Sequence, residues 1–183
     1  MKAEAIQREA PESGRRDTIV AALRTLLRVT AGDPVKIVEV GTIRDSRLAG
    51  RTGDGWATAM WGWYVSRVGG KVISIDVDAK AIATARAVCS PYAEHIEFRH
   101  ARAQDVLGDC QCIDLLYMDG PPEPESHLAM WHALECLPLL VLFDDIIDEK
   151  TYDVKGALAI PEMVKAGYIV HFARGRQALL GLI

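Results

Sequence analysis

Gly41 and Asp76 are the residues whose types and spacing first point to chemistry. Gly41 closes an apolar run, Val35–Val40, and is followed by Thr42. Asp76 closes a second apolar run, residues 72–75, and is followed by Val77-Asp78. Between them lie a glycine-bearing loop, a helical pattern over residues 56–67 and a Gly69-Gly70 break. Strand, glycine turn, helix, strand, acid is the order of a nucleotide-binding βαβ unit. There the glycine lets backbone N–H groups approach a ligand, the helix N-terminus adds partial positive charge, and the acid takes ribose hydroxyls. The ligand is expected over the C-terminal ends of the two strands. The plainer readings are a strand-ending turn for Gly41 and a capped turn for Asp76.

Three further acids close later apolar runs. Asp119 follows residues 113–118, and Asp144-Asp145 follows residues 139–143. They either face the same ligand or cap the segments that come next. Glu39 sits inside the first apolar run, where it contacts a cofactor or bonds nearby N–H groups. Trp56, Trp61 and Trp63 read as helix packing, with Trp56 at the helix start the nearest to a ligand. His127 reads as a surface or half-buried histidine rather than a catalytic one.

The elements that must position these residues follow from the apolar pattern. A chain of 183 residues, half of them apolar, buries a full core as one domain. Residues 1–16 are polar and read as a flexible segment, leaving 17–183 as the domain. Asp17 is the expected N-cap of a helix with Ile19, Val20, Leu23, Leu26 and Leu27 on one face. Further helices are expected over residues 79–89, capped by Asp78, over 125–136, and over 154–166 with a kink at Pro161. A short strand is expected over residues 96–98, with at most a helical turn over 104–107. The apolar runs 168–172 and 178–183 read as a closing antiparallel hairpin. Strands without polar alternation between helices mean a parallel sheet covered on both faces.

A net charge of −4 argues against a nucleic-acid partner. No apolar run is long enough to span a membrane, and no apolar signal region opens the chain. Cys89, Cys110, Cys112 and Cys136 lack zinc spacing and read as reduced thiols of a cytoplasmic protein. Nothing fixes the oligomeric state, and a homodimer stays open.

Taken in order, Glu39-Val40-Gly41-Thr42, Ile75-Asp76-Val77-Asp78, the segment 114–119 and Phe143-Asp144-Asp145 resemble the class I S-adenosylmethionine (SAM)-dependent methyltransferases. The chain looks most like their small catechol or caffeoyl-coenzyme A O-methyltransferase group. The resemblance implies a three-layer α/β sandwich around a doubly wound, mostly parallel sheet. That sheet has seven strands in the order 3-2-1-4-5-7-6, with an antiparallel C-terminal hairpin. It implies SAM as cofactor, held by Glu39, Gly41, Thr42, Gly55, Trp56, Asp76, Val77, Ala103, Gln104 and Asp119. It also implies Asp119, Asp144 and Asp145 as ligands of Mg²⁺ or another divalent cation. Because no lysine comes shortly after Asp119, Asp119 and Asp145 are the candidate catalytic bases. The expected activity is O-methylation of a small hydroxylated acceptor.

Two departures stand out. An insertion over residues 44–54 carries Arg44, Arg47 and Arg51, and is expected to lie over the cofactor or acceptor. Where the resembling enzymes place a lysine base after the first metal-binding acid, this chain has Gly120-Pro121-Pro122. The competing readings are a nucleotide-dependent oxidoreductase, opposed by the absence of G-x-G-x-x-G, and a non-catalytic cofactor-binding protein of the same fold.

Overall fold

The structure is a computed structural model. It describes residues 1–183 apart from 12–14, 48, 50–55, 147–154, 175 and 183. Helices α1 (Ala3–Glu9) and α2 (Arg16–Val29) precede strand β1 (Val35–Val40). Next come α3 (Ala57–Val68), β2 (Gly70–Asp76), α4 (Ala79–Val88) and β3 (Ile96–His100). The short α5 (Ala103–Val106) leads to β4 (Leu115–Met118), α6 (Pro124–His132) and β5 (Leu140–Phe143). Helix α7 (Ala159–Lys165) and the strands β6 (Ile169–Arg174) and β7 (Gln177–Gly181) close the chain.

These strands make one seven-stranded sheet, ordered β3-β2-β1-β4-β5-β7-β6. The first five pair in parallel, and β7 runs antiparallel to both β5 and β6. The expected fold class is therefore the observed one. Strands β4 and β5 are buried at every position, which is why their sequences show no polar alternation. Successive side chains of β1 point to opposite faces. Ile37 joins one core beneath α2 and α3, while Val38 and Val40 join the other beneath α5, α6 and α7. The strand order reverses between β1 and β4, and this creates a crevice at the strands' C-terminal ends.

Several boundaries differ from the sequence reading. Residues 1–16 were expected as a flexible segment, yet Ala3–Glu9 forms α1 and its Ile6 is fully buried. A lone isoleucine among polar residues carries no periodicity that could reveal a helix. Arg16 ties this segment down by donating to the carbonyls of Gln7 and Ala10. Asp17 is not an N-cap. Helix α2 starts at Arg16, and Asp17 lies in its first turn, where negative charge suits the helix dipole. Asp78 does cap α4, accepting from the Lys80 N–H at 2.8 Å. Helix α6 stops at His132, four residues short of the apolar pattern's end at Cys136. Pro161 sits in the first turn of α7, where no helical N–H is lost, so it kinks nothing. Of residues 154–166, residue 154 lies outside the described residues.

Candidate active site

A cavity of about 650 Å³ opens at the C-terminal ends of β1, β2 and β4. On the β2 side it is lined by Asp76, Val77, Ala103 and Gln104, and on the β4 and β5 side by Asp119, Asp145 and Lys155. Gly41 and Thr42 lie between them. Gly41 has φ +87°, and a Cβ there would lie 2.3 Å from the Asp119 carbonyl oxygen. Only glycine lets β1 and β4 close at this point. Asp76 latches the same turn, because its Oδ2 accepts the Thr42 N–H at 3.0 Å while Oδ1 accepts the Asp78 N–H at 2.8 Å. Each carboxylate oxygen retains acceptor capacity for a hydroxyl. Val77 is 64% exposed and offers apolar surface beside the acid, the arrangement a nucleoside requires.

Glu39 and Trp56 do not line this cavity. The alternation of β1 turns Glu39 toward α3, where it is buried and accepts from Thr58 Oγ1, Ser74 Oγ and Trp61 Nε1 at 2.7, 2.6 and 3.1 Å. Thr58 Oγ1 lies 3.1 Å from Thr42 Oγ1, so Glu39 supports the Gly41-Thr42 turn from below. Trp56 has φ +49° and is buried. Its indole N–H donates to the Asp45 carbonyl, holding the start of the insertion. In that insertion Arg44 lines the cavity, and Arg47 is exposed and paired with Asp45. Gly55 and residues 48 and 50–54, Arg51 among them, lie outside the described residues.

Burial pushes the Glu39 carboxyl from its ordinary value near 4.5 up to about 8, against the pull of the Ser74, Thr58 and Trp61 hydrogen bonds. The folded protein thus holds a proton that the unfolded chain has lost. This contribution to stability is complete below the unfolded value and is lost as pH rises through about 8. Urea melts should therefore show stability falling between about pH 5 and 8, with Glu39→Gln flattening that slope. An unchanged slope in the variant would show that Glu39 does not titrate there.

The acids after β4 and β5 come together as the register Met118↔Phe143 requires. Asp119, Asp144 and Asp145 each bring a carboxylate oxygen within 4.8 Å of the others. Sequence reasoning missed the cations among them. Lys155 Nζ donates to Asp119 Oδ1 at 2.7 Å and lies 3.1 Å from Asp145 Oδ2. Arg15 Nε donates to Asp144 Oδ2 at 2.5 Å, and Arg176 lies 2.6 Å from Asp145 Oδ1. Asp144 is 1% exposed and also accepts from Tyr117 Oη and from the Asp145 N–H. Asp145 has φ +50°, a left-handed conformation that Asp and Asn tolerate better than most residues.

Burial and the neighbouring Asp144 push the Asp119 carboxyl up to about 6, against Lys155. Burial works against the charge of Lys155, but Asp119 and Asp145 outweigh it and hold the ammonium above its ordinary range. Burial also acts on Asp145, where Lys155, Arg176 and Arg15 prevail and keep the carboxyl low. His127 is buried, its Nε2 bonded to the Pro121 carbonyl at 2.8 Å, and burial holds its pKa down to about 4. It pins the Pro121-Pro122 turn as a neutral ring, and is neither the surface nor the half-buried histidine expected.

A divalent cation does not fit these residues as they stand. Mg²⁺ needs several oxygens at roughly 2.0–2.1 Å. Both oxygens of Asp144 are bonded to donors of the chain, and the Lys155 ammonium lies between Asp119 and Asp145. A nucleoside cofactor does fit the β2 side, on the acid and apolar surface described above.

No protein-family model matches the chain, and no curated protein does. Solved structures do. The SAH-bound methyltransferase of Podospora anserina superposes with a TM-score of 0.62 at 13% identity, covering 98% of this chain and 85% of that one. The magnesium protoporphyrin IX methyltransferase of Synechocystis PCC 6803 with bound SAM gives 0.59 at 12%, covering 92% and 79%. The fold is that of the methyltransferases. A methyltransferase from Geobacter sulfurreducens gives 0.55 at 16%, covering 97% and 92%. Among the described residues, no helix is long and apolar enough to cross a membrane.

Proposed function

We propose that the chain is a SAM-dependent methyltransferase acting on a hydroxyl group of a small molecule. The observation that carries this reading is one cavity with a nucleoside-suited wall, Asp76 and Val77, and a charged wall, Asp119, Asp145 and Lys155. When bound, SAM supplies a methyl group already activated as a sulfonium. The chain's task is to align the acceptor and exclude water, which contributes about 7–11 kcal/mol in favourable cases. Asp76 holds the ribose hydroxyls and Val77 packs on the base. Asp119, with its carboxyl raised to about 6, takes the proton of the acceptor hydroxyl. No step passes through a divalent ion. The four free cysteines support a reducing, cytoplasmic setting.

Calorimetry against SAM, S-adenosylhomocysteine (SAH) and NAD tests the reading. Saturable binding of SAM and SAH with none of NAD is expected, followed by SAM consumption with phenolic or other hydroxylated acceptors. Binding of NAD alone would favour the oxidoreductase reading, and SAM binding without turnover on any acceptor the non-catalytic one.

A further inference from the structure

We infer that the Lys155 ammonium occupies the cation position of the Asp119–Asp144–Asp145 cluster, so that the site works without a divalent metal. The inference rests on the methyltransferase reading for what the site does, but its geometry stands apart from it. Among the described residues, three carboxylates meet three cations. Lys155 bridges Asp119 and Asp145, Arg15 holds Asp144, and Arg176 holds Asp145. Among the described residues, these charges balance and leave no net negative charge to attract a dication. An ion entering the cluster would meet the ammonium at close range and be repelled by its like charge.

The ammonium is also placed to do what a metal would do. Its side chain is 9% exposed and lines the cavity, so its charge is little screened where an acceptor's oxygen would lie. Two of its three N–H bonds serve Asp119 and Asp145, which leaves one for that oxygen. Lys155 thus offsets negative charge as it develops on the acceptor while Asp119 receives the proton. The sequence hides this because Lys155 comes from a segment far from Asp119, in place of the lysine expected beside Pro121.

Titration with Mn²⁺, followed by the loss of the free-ion paramagnetic signal, tests the inference. The chelator-treated protein should bind no stoichiometric Mn²⁺. Lys155→Ala and Lys155→Met should each bind it at least about tenfold more tightly, because a fixed positive charge is gone from among the carboxylates. Adding Asp119→Asn should remove the gain. Stoichiometric Mn²⁺ binding by the unaltered protein, abolished in Asp144→Asn, would overturn the inference, and so would folded Lys155 variants with no gain. If the variants do not fold, the unaltered protein's titration decides alone. SAH calorimetry on the same samples separates this outcome from the proposed function. Absent SAH binding sinks that reading, and the Mn²⁺ result still decides the cation.

Discussion

Asp76→Ala is expected to weaken SAH binding by at least about tenfold, from loss of two charge-assisted hydrogen bonds worth roughly 1.5–3 kcal/mol each. The position of Asp76 makes the effect larger than a ribose contact alone would give. Its Oδ2 also accepts the Thr42 N–H and its Oδ1 the Asp78 N–H. Removing the carboxylate therefore frees the Gly41-Thr42 turn that forms the middle of the cavity. Asp76→Asn separates the two roles. The amide oxygen can still accept one of these N–H groups, while the negative charge proposed to hold the ribose is lost. Calorimetry should place Asp76→Asn between the native protein and Asp76→Ala. Native-like SAH affinity in Asp76→Ala would remove Asp76 from the cofactor site and leave it a turn cap.

The legible part of this chain was the part written in apolar runs. β4 and β5 are buried at every position, and β1 and β2 over most of their length, so largely apolar segments mark them. The acids at their ends are visible by position alone. Asp76 and Asp119 line the cavity as that position suggests. The direction of a side chain within a buried strand is less legible, and here Glu39 turns away from the cavity toward Thr58, Ser74 and Trp61.

Partners distant in sequence are not legible at all. Lys155 reads as a lone charge in an apolar run, Val154 to Ile160, and only folding brings it to Asp119. A single lysine in such a run, ten residues after an acidic pair, is the one signal that could have marked it. Arg15 lies in a segment whose polarity suggested no role, yet it reaches the far end of β5. Helix α1 was hidden for the same reason, since Ile6 alone among its residues is buried.

Arg15→Ala is expected to lower the stability of the fold by about 3 kcal/mol, the low end of the cost of leaving one partner of a buried ion pair uncompensated. Asp144 is 1% exposed, and the Arg15 side chain is 15% exposed, so water cannot replace the guanidinium freely. The low end applies because Tyr117 Oη and the Asp145 N–H still bond the Asp144 carboxylate. For a chain of this size the loss corresponds to a fall of roughly 6–12 °C in Tm. The penalty belongs to the stranded charge, and not to lost packing alone. Asp144→Asn in the Arg15→Ala background should therefore recover part of the loss, because the amide oxygen still accepts from Tyr117. In the native background the same change should destabilise, since it removes the partner of Arg15. Thermal and urea melts of the four proteins give the coupling directly, expected at about 1–3 kcal/mol. Additive effects would mean that Arg15 and Asp144 do not act as a pair, and that the N-terminal segment is held by α1 packing instead.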